Sequence, residues 1–276
     1  MKDLNITKIY CNGCSHSAGG GLELDRLLDE EIVVRDYYKQ KYNVEWETQV
    51  ETTYVNYISK NLGCEYVNEA GSGGGSERVV RMTYDFIKKN WKIKENLLLI
   101  LEFPSLGRLD LYSNKLKDYI IANLHFSNND YYDDSITSLF GTRGYFNRDF
   151  LQDNAKIVSE LTSYYRAFFS KRNQLTKVGR EINMLLTYLK YHNIKFIFFT
   201  GEFSSLIDSE HKRNNLLQLK VGNIIIEDLH EFALKTNSTI AEECDLLTTD
   251  LHPGYFCHQN FGNLLSDYII ENYDKL

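Results

Sequence analysis

Two short segments, far apart in the chain, carry residue types suited to acyl chemistry. Near the start the chain reads Ile9-Tyr10-Cys11-Asn12-Gly13-Cys14-Ser15-His16-Ser17-Ala18-Gly19-Gly20-Gly21, and near the end Thr248-Thr249-Asp250-Leu251-His252-Pro253-Gly254. Ser15 stands where an apolar run breaks into a glycine-rich turn. A serine hydroxyl is a weak nucleophile until a base takes its proton, and a histidine base works best when a carboxylate orients it. The expected roles are nucleophile for Ser15, general base for His252 and orienting carboxylate for Asp250, with Asp245 as an alternative orienter. A serine at this place also serves as an ordinary turn or N-cap residue; the downstream Asp-x-His-Pro tips the reading toward chemistry. Pro253 keeps His252 out of the helical region, as a loop reaching over a sheet requires. In an extended segment Asp250 and His252 face the same way, so contact between them needs a curved loop. His16 reads as a groove wall, with a minor claim as base, and His258 as a helix residue packing near the site.

A second glycine-rich stretch, Asn68-Glu69-Ala70-Gly71-Ser72-Gly73-Gly74-Gly75-Ser76, follows another apolar run. So dense a cluster implies backbone in unusual dihedrals or in close approach to another group. It lacks the Gly-Lys-Ser/Thr ending of a phosphate loop, and it lacks the third glycine of a dinucleotide fingerprint. Cys11-Asn12-Gly13-Cys14 is a literal Cys-x-x-Cys, but Cys64, Cys244 and Cys257 supply no second pair at zinc spacing. A redox pair belongs at a helix start, where this chain has a turn. The reading therefore calls for no metal and no cofactor.

The elements that must position these residues alternate in type. Short strands are expected at 4–11, 64–68, 96–103 and 193–200, with a fifth at 221–226. Helices are expected at 53–63, 76–90, 151–170, 174–191 and 254–273. Leu97-Leu98-Leu99-Ile100-Leu101 has the continuous apolar character of a buried parallel strand. Alternating strands and helices imply a parallel sheet covered on both faces, with ligands at the carboxyl ends of its strands. Both glycine-rich turns belong at that edge. Segments 21–50 and 110–150 lack clear periodicity and read as two insertions near it, within one domain spanning 1–276.

Of the 276 residues, 43% are hydrophobic and 25% charged, with only two prolines, which describes a globular chain without long linkers. A net charge of −7 disfavours binding to a phosphate backbone, so no nucleic-acid partner is expected. No run reaches the 18 or so apolar residues of a membrane span, and the start does not read as a signal peptide. Five cysteines, an odd count, suggest free thiols in a reducing compartment, hence a cytoplasmic protein with no membrane partner. Oligomeric state is not legible.

These motifs resemble those of the SGNH, or GDSL-like, hydrolases. The resemblance implies a three-layer α/β/α fold with a flavodoxin-like parallel sheet, a nucleophilic serine after the first strand and an Asp/His pair before the last helix. Gly13-Cys14-Ser15-His16-Ser17 is similar to a variant first motif. Asn68–Ser76 is similar to the second, which assigns an oxyanion-hole amide to Gly74, with Gly73 as runner-up, beside the amide of Ser15. The last motif is one residue shorter than the usual Asp-x-x-His. The third motif lacks its asparagine, since the region reads Leu101-Glu102-Phe103-Pro104-Ser105-Leu106-Gly107-Arg108; Arg108 would supply positive charge instead. The function implied is hydrolysis of a carboxylic ester through an acyl-enzyme, the substrate being a small-molecule or glycan ester such as an O-acetyl group on a carbohydrate. Alternatives are an inactive glycan-binding or structural module of the same fold, and an acyltransferase using the same serine.

Overall fold

The computed structural model describes residues 4–20, 22, 34–71, 74–104, 108–113, 118–126, 136–141, 159–160, 163–164, 170–200, 207–208, 211–212, 215–221, 224–226, 228–244 and 252–276. Its centre is a parallel sheet of β1 (Lys8–Asn12), β2 (Glu65–Asn68), β3 (Leu97–Phe103) and β7 (Lys195–Thr200), in the order β2-β1-β3-β7. A parallel bridge between Phe198 and Leu216 extends it past β7. Strand β3 is buried along its whole length, as its apolar run requires.

Alternation along the strands divides the core into two layers. Ile9 and Cys11 of β1, Leu98 and Ile100 of β3, and Ile197 and Phe199 of β7 pack with α2 (Tyr54–Leu62), α5 (Leu229–Lys235) and α7 (Tyr255–Asn272). Tyr10, Leu99, Leu101, Phe103, Phe196 and Phe198 pack on the other face with α3 (Ser76–Lys89) and α4 (Lys171–Tyr191). The result is a three-layer α/β/α arrangement, consistent in general terms with doubly wound folds of the flavodoxin type. Helix α2 ends at Gly63, whose φ of 66° is the left-handed cap that glycine adopts without strain. The Ser170 hydroxyl accepts from the Asn173 amide and opens α4 a few residues before the expected 174.

Both expected insertions contain regular structure. Within 21–50, α1 (Val34–Tyr42) packs Tyr38 against Trp46, Tyr255 and Phe256, beside the start of α7. Within 110–150 the described residues form an antiparallel sheet of β4 (Arg108–Ser113), β5 (Asp118–Phe126) and β6 (Ile136–Gly141). The run at 221–226 is a correction: β8 (Leu219–Val221) and β9 (Ile224–Ile226) pair antiparallel as a hairpin rather than forming a fifth strand of the main sheet. Gly222-Asn223, between Leu219-Lys220-Val221 and Ile224-Ile225-Ile226, is the local signal for that pairing. Most of the helix expected at 151–170 lies outside the described residues.

Candidate active site

Strand β1 delivers the nucleophile turn to the carboxyl edge of the sheet. After Asn12 the chain coils back on itself: the Ala18 amide donates to the Cys14 carbonyl at 3.0 Å and the Gly20 amide to the Ser15 carbonyl at 2.6 Å. A Cβ on Gly13 would lie 2.4 Å from a Glu102 carboxylate oxygen, so only glycine lets the chain pass that side chain. The turn is tied to the second glycine loop, whose Gly71 amide donates to the Gly13 carbonyl at 3.2 Å. Arg78, buried in α3, bridges the two loops by donating to Asn12 Oδ1 at 3.1 Å and to the Glu69 carbonyl at 2.9 Å.

The base arrives from the other end of the chain. A short helix α6 (Ile240–Glu243) begins with a capping box between Thr239 and Glu242. The Ile240 amide donates to the His252 carbonyl at 2.8 Å, and the Gly254 amide to the Ser238 carbonyl at 2.9 Å. Thr239 and Pro253 pair as an antiparallel bridge, so residues 252–254 are held against residues 238–240. Glu243 anchors the following helix, accepting from the Phe256 amide at 3.1 Å, the Cys257 amide at 2.9 Å and the Tyr38 hydroxyl. Burial pushes this carboxyl up to about 7, against the pull of those donors.

These two loops meet. Ser15 Oγ and His252 Nε2, 237 residues apart in sequence, lie 3.2 Å from each other. That is within reach for hydroxyl-to-imidazole proton transfer. Ser15 is 7% exposed, more enclosed than a serine displayed at the tip of a turn. Gly20 covers the pair: a Cβ there would lie 2.9 Å from Ser15 Cβ and 3.1 Å from His252 Cδ2.

A second polar cluster lies directly beneath. Glu102, near the carboxyl end of β3, accepts from the Cys14 amide at 3.0 Å through Oε2 and from the Cys14 thiol at 2.9 Å through Oε1. His16 Nδ1 lies 3.7 Å from the same Oε1. Burial would keep both groups neutral, but each favours the charged form of the other. His16 is held up to about 10 by Cys14 and Glu102, while hydrogen bonds and charge from His16 and Cys14 bring Glu102 down to about 2. The His16 ring stacks on His230 of α5 at 4.7 Å and meets His252 edge-on at 5.5 Å. Asp228, the N-cap of α5, belongs to the same electrostatic neighbourhood, and burial raises its carboxyl.

The structure therefore brings Ser15 and His252 together, with His16 and, through His16, Glu102 and His230 beside them. Asp250, Asp245 and Gly73 lie outside the described residues. The Gly74 amide donates to the Gly71 carbonyl at 2.8 Å, so to hold an oxyanion it would have to exchange that bond. Arg108 opens β4, and its backbone carbonyl would lie 2.4 Å from a Cβ on Gly75, next to the second glycine loop. Its Nη1 is buried without a hydrogen-bond partner, and no hydrogen bond or ion pair joins it to Ser15 among the described residues. His258 is fully buried one turn into α7, where Nδ1 accepts from the Tyr54 amide at 3.3 Å. Sequence reasoning missed Glu102, His230 and Gly20. Glu102 sits inside an apolar run and Gly20 inside a glycine triplet, so neither stood out; an ionisable residue near the end of a buried strand was the available signal.

No protein-family model matches the chain, and no curated protein matches it. Solved structures with some likeness include the psychrotrophic esterase EstA from Pseudoalteromonas sp., with a TM-score of 0.43 and 11% identity over 96% of this chain and 97% of that one. The acetyl xylan esterase Est2A from the rumen bacterium Butyrivibrio proteoclasticus gives 0.42 and 12% over 98% of this chain, which spans 65% of that one.

Proposed function

We propose that the protein hydrolyses a carboxylic ester, with Ser15 as nucleophile and His252 as general base. The observation that carries this reading is the 3.2 Å contact between Ser15 Oγ and His252 Nε2. As Ser15 Oγ attacks the carbonyl carbon, its proton passes to Nε2. The imidazolium then returns that proton to the departing alcohol, leaving an acyl-serine. Water activated by the same ring cleaves the acyl group and restores the serine. The Ser15 amide makes no hydrogen bond to a described residue and is offered to the developing oxyanion, with the Gly74 amide joining if it leaves Gly71. In this reading Asp250 orients the imidazole. An O-acetylated carbohydrate is the substrate class implied by the motif resemblance.

A fluorophosphonate probe tests the assignment, since it labels an activated serine whatever the natural substrate. Peptide mass spectrometry is expected to place the label on Ser15, and p-nitrophenyl acetate turnover is expected to vanish in Ser15→Ala. Labelling confined to another residue, or unchanged turnover in that variant, overturns the reading. A panel of O-acetylated sugars and plain short-chain esters then separates carbohydrate preference from general esterase activity.

A further inference from the structure

Cys14 and His16 flank the proposed nucleophile, and both turn toward a carboxylate from a different strand. Cys14 Sγ, His16 Nδ1 and a Glu102 oxygen all lie within 4.8 Å of one another. We infer that these three side chains form a binding site for one divalent cation of the zinc class, seated beneath the Ser15 turn.

Four observations carry it. First, the donor atoms converge: Glu102 Oε1 is 2.9 Å from the sulfur and 3.7 Å from the imidazole nitrogen. Tetrahedral zinc with bonds of about 2.0–2.3 Å places its ligand atoms roughly 3.3–3.7 Å apart. The sulfur–oxygen pair must open by less than about 1 Å on the same geometry, and the sulfur and nitrogen lie within 4.8 Å of each other. Second, the ligands are braced from outside. Glu102 Oε2 takes the Cys14 amide at 3.0 Å, which leaves Oε1 for the cation, and the stack on His230 fixes the plane of His16. Such outer partners orient metal ligands. Third, the donor set is sulfur, imidazole and carboxylate, which selects zinc or cobalt over magnesium or calcium. Fourth, the site is enclosed, with Cys14 1% exposed and Glu102 8%. Metal binding displaces the ligand protons to solvent. Three protein ligands leave the fourth position to water. Because Ser15 lies between two ligands in sequence, the ion clamps the backbone of the nucleophile turn.

The test uses the full chain stripped with a chelator, and its readout is metal, not ester turnover, so it stands or falls apart from the esterase reading. Titration with Zn2+ against a chromophoric competitor is expected to give one ion per chain. Co2+ is expected to give a thiolate charge-transfer band in the near ultraviolet. Cys14→Ser should abolish the band and weaken Zn2+ binding by about 100-fold or more, beyond the usual cost of losing an outer-shell partner. Cys11→Ser should leave both unchanged, since that thiol is bonded to Tyr54. Should Cys14→Ser fail to fold by circular dichroism, X-ray absorption of the zinc-loaded wild type decides, with one sulfur and two or three nitrogen or oxygen neighbours expected. Absence of a one-to-one complex, a band that survives Cys14→Ser, or a zinc shell without sulfur overturns the site.

Discussion

Gly20 gives the sharpest local test of the Ser15–His252 pair. A methyl group at this position would press on Ser15 Cβ and its carbonyl oxygen, both 2.9 Å away, and on the imidazole edge. Gly20→Ala is expected to part the pair and lower kcat/KM toward the level of His252→Ala, about 100- to 10,000-fold below wild type, the usual worth of general-base assistance. Steady-state kinetics on p-nitrophenyl acetate, with circular dichroism to confirm folding, measures this; full activity in Gly20→Ala would mean that the close packing does not matter. The meeting of Ser15 and His252 was legible because each sits in a local sequence pattern. Glu102 was not, because its partner Cys14 is 88 residues away and nothing local marks the meeting.

The loop that carries His252 depends on Glu243. This carboxylate stands at the start of α7, and a Cβ on Gly254 would lie within about 2.5 Å of its oxygens, so the chain passes close against it. Glu243→Ala leaves the Tyr38 hydroxyl and two amides without their acceptor, which costs about 1–3 kcal/mol for each buried group left unsatisfied and not rescued by water. The expected result is a lower urea midpoint together with slower fluorophosphonate labelling of Ser15; an unchanged labelling rate would separate α7 from the site. The long elements were readable because apolar runs and helical periods persist over many residues. The antiparallel sheet was not: β5 reads Asp-Tyr-Ile-Ile-Ala-Asn-Leu-His-Phe, in which Ile120 and Ile121 break the two-residue period. The pairing of β8 with β9 read as one run because Val221 and Ile224-Ile225-Ile226 are apolar on both sides of Gly222-Asn223.

Across the molecule, His258 ties stability to pH. Burial, reinforced by nearby His16, lowers its pKa from an ordinary value near 6.5 to about 3 in the fold. Below pH 6.5 the unfolded chain takes up a proton that the folded chain refuses. The contribution is thus fully present above that pH and lost as the pH falls toward 3, at up to about 1.4 kcal/mol per pH unit. Wild type should therefore lose more stability between pH 7 and pH 4.5 than His258→Gln, whose amide oxygen can still accept from Tyr54. Urea unfolding at the two pH values checks it, and equal losses would assign the acid sensitivity elsewhere. Among the described residues no helix is long and apolar enough to cross a membrane.

The distance between Ser15 and His252 along the chain also sets an order in time. With His252 237 positions after Ser15 and synthesis at about 5–20 residues per second, the serine turn leaves the ribosome roughly 10–50 s before His252. The early strands β1, β2 and β3 can pair in that interval, and the turn can form on Glu102, before His252 is present. On the proposed mechanism, the serine is activated only once the His252 loop docks.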